Sequence, residues 1–314
     1  MKIKLVFIVL ILTLFLTTPS LFGDTIVAWG DNTYGQCDVP TGNDFVDIAT
    51  GTAFSLAIRA NGSLVGWGSN SFGRCDVPLG TGFVDVTAGS AHGLALRSDG
   101  SLAAWGYNAF GQTNVPTDPI FKAIATGWYH SFALTKSGHI FTWGQANNSM
   151  GYDNVGQYDM PVGNFVDISA GYYHNLALKA DGSIIAWGDA SHGQRNVPSG
   201  GGFTMIDAGG WHSLALRADG SIVAWGDNSY GQCNVPSEND FIAVSAGYFC
   251  SLALRANGSI VAWGDITGIP TGNTFTDIDA GSSHYLALST VPEPATLLLL
   301  GLGALWNLKK IPRT

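Results

Sequence analysis

Short alternating runs of apolar and polar residues fill most of the chain and return in a fixed order. Each round opens on Phe-x-Asp-Ile-x-Ala or a variant, as in Phe165–Ala170, and passes through Ala/Thr-Gly-x-x-His into Leu-Ala-Leu-Arg. It then crosses a two-residue turn into Ser-Ile-Val-Ala-Trp-Gly. Period-two patterning over five or six residues predicts strands rather than helices. The turns are Asn61-Gly62, Asp99-Gly100, Ser137-Gly138, Asp181-Gly182, Asp219-Gly220 and Asn257-Gly258. Asn-Gly and Asp-Gly accept the positive φ of tight hairpins, so each turn should join two antiparallel strands.

The landmark Trp-Gly falls at Trp29, Trp67, Trp105, Trp143, Trp187, Trp225 and Trp263, with spacings of 38, 38, 38, 44, 38 and 38 residues. One round therefore holds three strands, with a Cys-Asn-Val-Pro-like segment as a possible fourth. Seven such units predict an all-β, seven-bladed β-propeller; an open solenoid is the alternative. The ends favour the ring. The last unit stops at Leu288-Ser289 without its Trp-Gly strand, and the chain body opens on an orphan one, Thr25–Gly30. Pairing the two completes the seventh blade and removes an exposed edge.

Composition agrees. The chain has 42 glycines, only 12% charged residues and two glutamates, Glu238 and Glu293. Exposed helix faces usually carry far more Glu and Lys. Both ends read as targeting segments. Residues 1–23 combine early lysines, the apolar run Leu5–Leu16 and a polar Thr17-Thr18-Pro19-Ser20, the layout of a signal peptide, expected as a short helix. At the other end Pro292-Glu293-Pro294 precedes an apolar stretch over 295–308 and a basic Lys309-Lys310-Ile311-Pro312-Arg313. The stretch is expected to form a short apolar helix, brief for a bilayer span and interrupted by Asn307, so membrane association would be transient. Without the two ends, 22 acidic residues face nine basic ones, a net charge of −13. That disfavours nucleic acid as a partner.

Two resemblances follow from these motifs. The recurring AGxxHSLALRxDGSIxAWG…GQ pattern over 25–289 resembles the RCC1-like repeat, whose members form seven-bladed propellers. The likeness is greatest to short-repeat secreted bacterial members, including a β-lactamase inhibitory protein of this fold. The nucleosome and GTPase partners of the eukaryotic exchange factor are not implied for an acidic, exported chain. The tail resembles the PEP-CTERM sorting signal, which implies processing by an exosortase during delivery to the cell surface or extracellular matrix of an envelope-bearing, Gram-negative-type bacterium. The expected organisation is a signal peptide over 1–23, the propeller over 24–290 and the sorting segment over 291–314.

Candidate chemistry is sparse. His92, His130, His174, His212 and His284 share one repeat position, which Phe54 and Cys250 fill in the other units. Five imidazoles could suggest a metal ring, but each belongs to a different blade. The expectation is histidine bonded to blade backbone, with no metal and no cofactor. Cys37, Cys75 and Cys233 share another position and are expected as free, packed thiols. Arg59, Arg97, Arg217 and Arg255 repeat with Lys179 after the Leu-Ala-Leu strand. Gly-x-Ser-x-Gly, His-Glu-x-x-His and phosphate-binding glycine loops are missing. One glutamate in the body rules out a Glu-based glycosidase pair, while an aspartate pair stays open. The expectation is a protein that is not an enzyme.

The units differ most at the two residues before the histidine position. Three units have Thr52-Ala53, Ser90-Ala91 and Ser282-Ser283; the four consecutive others have Trp128-Tyr129, Tyr172-Tyr173, Gly210-Trp211 and Tyr248-Phe249. Chain direction puts Tyr34, Phe72, Phe110, Tyr230 and the insertion within 145–155 on the same face. Such an aromatic face would bind a surface protein or an exopolysaccharide, with Asn147, Asn148 and Asp153 of the insertion adding selectivity. The competing expectation is that the rings pack between blades, out of reach of water. A polysaccharide lyase or hydrolase using aspartates, and an inhibitor of a secreted β-lactamase or penicillin-binding protein, are the alternative functions.

Overall fold

The structure, a computed structural model, describes residues 24–118, 120–144 and 156–290. The strands there pair into seven three-stranded antiparallel sheets. Blade 1 runs Phe45–Thr50, Phe54–Arg59, Leu64–Gly68, inner to outer; blade 2, Phe83–Ala88, His92–Arg97, Leu102–Gly106; blade 3, Phe121–Thr126, His130–Thr135, Ile140–Gly144. Blade 4 comprises Phe165–Ala170, His174–Lys179, Ile184–Gly188; blade 5, Phe203–Ala208, His212–Arg217, Ile222–Gly226; blade 6, Phe241–Ala246, Cys250–Arg255, Ile260–Gly264. Blade 7 takes Phe275–Ala280 and His284–Ser289 from the end of the body and Thr25–Gly30 from its start. The pairing runs from Thr25↔Ser289 to Gly30↔His284. Blade 1 packs on blade 7 as every other blade packs on its neighbour, so the ring is closed. The expected signal helix over 1–23 and tail helix over 295–308 lie outside the described residues.

The possible fourth strand is absent from the described residues. Val39, Val77, Val115, Val197 and Val235 each donate N–H to the carbonyl two residues back, forming a tight turn. The proline that follows has no N–H to give a ladder. These valines instead drop their side chains into the apolar layers between blades. Each layer joins two neighbours: Phe54, Leu56 and Ile58 of blade 1, for instance, meet Phe83, Val86 and Trp105 of blade 2. Fully buried side chains of this size contribute about 1.5–3 kcal/mol each. The repeated arginines serve this layer, with Arg59, Arg97, Arg217 and Arg255 capping the rings of Phe45, Phe83, Phe203 and Phe241.

A polar clasp ties adjacent blades inside this apolar setting. The Nε2 atoms of His92, His174, His212 and His284 meet Ser131, Ser213, Ser251 and Ser55 of the next blade at 2.8–3.0 Å. His130 meets Asn175 at 2.9 Å. The expected bond to blade backbone is thus a side-chain bond across the blade junction. Each Ser or Asn in turn donates to the backbone carbonyl of Gln36, Gln112, Gln157, Gln194 or Gln232. The same carbonyls accept the indole N–H of Trp67, Trp143, Trp187, Trp225 and Trp263. Because the hydroxyl proton is committed to the carbonyl, the imidazole must donate from Nε2, which fixes the neutral tautomer.

Where the histidine is missing, its side-chain partner is missing too, although the Arg74 carbonyl still accepts the indole N–H of Trp105 at 2.9 Å. At the junction of blades 1 and 2, Phe54 replaces His, Gly93 replaces Ser and Arg74 replaces Gln. At the junction of blades 6 and 7, Cys250 faces Tyr285, and the loop after Trp263 is too short to supply a glutamine. The indole N–H of Trp29 there has no partner. Cys37, Cys75 and Cys233 are free thiols whose Sγ atoms lie 3.2–3.3 Å from backbone carbonyls of their own loops.

Toward the axis each inner strand leaves one edge unpaired, and the preceding blade supplies acceptors for its free N–H groups. Asp47 accepts from Val86, Ser169 from Ala208, Asp207 from Ala246, Ser245 from Ala280, and Asp279 from Thr50, at 2.6–3.0 Å. The last of these crosses the closure between blades 7 and 1. Glycine is required where the turns converge: a Cβ on Gly209 would lie 2.3 Å from the carbonyl oxygen of Gly247.

Burial drives the clasp histidines and the channel carboxylates in opposite directions. It lowers the pKa of His212 to about 4 and raises that of Asp279 to about 7. Asp279 favours folding when protonated, and that contribution fades as pH rises toward 7. His212 favours folding when neutral; its contribution is complete above its ordinary value near 6.5 and is lost as pH falls through 6.5 toward 4. A comparison with His212→Gln isolates the imidazole. The variant should be less stable at pH 8, and the gap should shrink by on the order of 3 kcal/mol by pH 4, as denaturant unfolding would record.

The missing clasp at blades 1 and 2 also distorts a loop. The N–H groups of Tyr34, Phe110, His192 and Tyr230 donate to the side-chain oxygen of Gln36, Gln112, Gln194 and Gln232 at 2.8–3.0 Å. Arg74 offers no acceptor, and Phe72 turns to φ 65°, the one non-glycine residue at positive φ among those described. Left-handed backbone at a bulky residue costs on the order of 1–3 kcal/mol. Arg74→Gln should return Phe72 to negative φ in a crystal structure of the variant, with an unfolding midpoint no lower than that of the parent.

Candidate binding face

The inner and middle strands of each blade meet at the Gly-x-x turn, and the loop after each outer strand returns to that same end. The two variable turn residues point differently. The first leans over the axis: Thr52, Ser90, Trp128, Tyr172, Gly210, Tyr248 and Ser282 ring a cavity of about 90 Å³ at the channel mouth. Tyr172 reaches across that mouth, its hydroxyl 2.9 Å from Ser282 of blade 7. The second residue points outward, toward the loop entering its own blade. Phe110 thus meets Tyr129 with centroids 5.1 Å apart, His192 meets Trp211 at 5.5 Å, and Tyr230 meets Phe249 at 4.3 Å.

These contacts join into one belt. It starts at Phe72, passes Tyr107, Phe110, Tyr129, Trp128 and Tyr172, and spreads over Trp211, Tyr248 and Phe249 to end at Tyr230. Successive centroids lie 3.8–6.0 Å apart, most of them within the range of about 4.5–7 Å of edge and tilted ring pairs and three closer. Trp128, Tyr129, Tyr172, Tyr173, Trp211, Tyr248 and Phe249 are all half-buried. They are neither sealed between blades nor standing free; they rest on one another across the face. The exposed members belong to the entry loops: Phe72 is 66% exposed and Tyr230 51%, and Tyr34, outside the belt, is 61%. Asn147, Asn148 and Asp153 lie outside the described residues, as do Pro292, Glu293 and Pro294.

Two members of the belt escape the motif reading, Tyr107 and His192. Both are visible as departures from the repeat. Tyr107 follows Trp-Gly where four of the other units have Asp31, Asp189, Asp227 and Asp265, and His192 takes the place of Tyr34, Phe110 and Tyr230. The tyrosine has a local consequence. Asp31, Asp189 and Asp227 accept from the side-chain amide of the buried glutamine five residues on. Tyr107 cannot, and the amide nitrogen of Gln112 is buried without a partner. A buried donor without an acceptor costs about 1–3 kcal/mol.

The aspartates serve structure. Asp47, Asp207 and Asp279 hold strand edges along the channel, and Asp99, Asp181 and Asp219 accept from the serine two residues on within the hairpins. Among the described residues no cluster of His, Cys, Asp and Glu has the arrangement of a metal site.

Comparison with known proteins agrees with this architecture. The model of the regulator of chromosome condensation (RCC1) repeat matches five times, at residues 45–74, 83–112, 121–151, 165–194 and 204–232. The PEP-CTERM protein-sorting motif matches residues 290–306. A search of curated protein sequences gives no match. Among solved structures, Prp20p from Saccharomyces cerevisiae superposes with a TM-score of 0.70 at 19% identity, over 91% of this chain and 96% of that one. Human WBSCR16 gives 0.69 at 17% identity, over 86% and 100%. The ectodomain of the Arabidopsis thaliana receptor kinase ACR4 gives 0.61 at 26% identity, over 76% and 89%. The first two likenesses are of fold alone. The sorting motif marks export and delivery to the cell surface in Gram-negative-type bacteria. Seven repeating sheets, five matched repeats and the sorting motif together make this chain an exported RCC1-repeat β-propeller with a PEP-CTERM tail.

Proposed function

We propose that the protein is a non-enzymatic binding module of the cell surface or its matrix, and that the aromatic belt holds a protein partner. The observation that carries this reading is that two belt residues cost the repeat stability. Tyr107 strands the amide of Gln112, and Phe72 sits in left-handed backbone; both residues lie in the belt. Local rules broken without a structural return cluster at functional sites. Aromatic residues are also the side chains that dominate protein contact surfaces. The solved structure of Prp20p was described with that protein's binding to Gsp1p and histones, which supports a protein as the kind of partner. The organisation proposed alongside is a signal peptide over 1–23, the propeller over 24–290 and a sorting segment over 291–314, processed by an exosortase, with residues 295–308 engaging the membrane in transit.

The trade between stability and binding supplies the test. Tyr107→Asp should restore an acceptor to Gln112 and raise stability by about 1 kcal/mol, while weakening capture of envelope protein from the producing cell. Tyr230→Ala should weaken the same capture with little change in unfolding midpoint, since the ring is half in water. Capture unaffected by both variants would sink the reading. Capture of purified matrix polysaccharide in place of protein would move it to the sugar partner.

A further inference from the structure

We infer that, while the tail engages the membrane in transit, it holds the propeller with its hairpin-side face against the lipid bilayer, so that the aromatic belt points away from the membrane. This rests on the proposed membrane engagement of residues 295–308 and adds the orientation that the fold imposes on it.

The two faces are separated along every middle strand. In blade 7 the pair Gly30↔His284 lies at the belt end and Thr25↔Ser289 at the hairpin end. The body therefore finishes on the hairpin side, where Thr290 donates its N–H to Thr274 at 2.9 Å. Strands of six residues at about 3.3 Å each place the belt about 20 Å farther along. Only Val291-Pro292-Glu293-Pro294 separates Thr290 from the apolar segment that starts at Ala295. Four residues reach at most about 14 Å when fully extended, and two prolines restrict them further. A tether of that reach, fixed at one face, cannot let the opposite face turn down onto the bilayer.

The hairpin side is built for such a neighbour in one respect. The second residue of the inner strand stands at that end, and Val46, Val84, Val166 and Ile242 are each about half exposed there. Acidic Asp99, Asp181, Asp219 and Glu238 share that side with basic Arg59, Arg97, Lys179, Arg217 and Arg255, and Glu238 pairs with Arg255 at 2.7 Å. Charges of both signs give the face no strong pull on an anionic lipid surface, so the tether sets the arrangement.

Energy transfer on the full chain tests this, using vesicles of phosphatidylethanolamine and phosphatidylglycerol with a headgroup-linked acceptor. Cys37→Thr, Cys75→Thr and Cys233→Thr clear the partly exposed thiols, following Thr113 at the equivalent position. Single donors then go on the hairpin side at Ser98→Cys or Ala256→Cys, and on the belt side at Ala109→Cys or Ala190→Cys. A height difference of about 20 Å should give about twofold or greater transfer from the hairpin side. Equal or reversed transfer on protein that floats with the vesicles overturns the orientation. Protein that fails to float overturns the tail as anchor, and the orientation with it. A flexible insertion after Thr290 should erase the difference; a difference that survives it would show that the tether is not its cause.

Discussion

The neutral histidine bridging two blades is the interaction on which the remaining architecture depends. A blade of three short strands cannot cover its own apolar faces, so its stability comes from its neighbours. Apolar layers supply the driving force but little directional information. The clasp adds the direction: a ring nitrogen, a hydroxyl and a carbonyl must line up, and the carbonyl must also accept a tryptophan. In a dry interface each unmade bond costs more than the made bond returns. That asymmetry explains why the histidine and its side-chain acceptor are present together or replaced together. Phe54 with Gly93, and Cys250 with Tyr285, are such paired replacements, while the Arg74 carbonyl keeps its bond to Trp105.

The same reasoning applies at the axis. Seven inner edges face the channel, and at five of the junctions a carboxylate or hydroxyl from the preceding blade takes an exposed N–H. Asp279 reaching Thr50 makes the closing junction chemically equivalent to the others. With clasp, channel and apolar layers all committed to holding the ring, only the Gly-x-x turns and entry loops can vary. Variation is concentrated there, and it takes the form of aromatic rings on consecutive blades.

Much of this was legible in the residues. The period, the hairpins and the orphan Trp-Gly strand point to a closed ring, and the aromatic turn residues point to one face. The partner of the histidine was not legible, because the serine that receives it lies 39 residues away in the next unit. Reading the variation of His, Ser and Gln together across units would have exposed it, since the three change in step. Tyr107 and His192 stand outside the turns that carry the aromatic pattern, although both break their own repeat column. The proline-bounded segment read as a possible strand because its valine is apolar; the valine packs half-buried against the blade layer without a ladder. The mutual packing of the rings depends on how far each reaches over the axis, which spacing along the chain does not encode.

The closure through Thr25 and Ser289 joins residues 264 positions apart. No subset of blades can form that pairing, and until it forms, the seventh sheet lacks its outer strand and the first blade lacks a wall. The cooperative fold therefore becomes available only after the final strand has been made. For an exported chain this is useful timing, because a thread that cannot lock early remains competent to pass through a membrane pore.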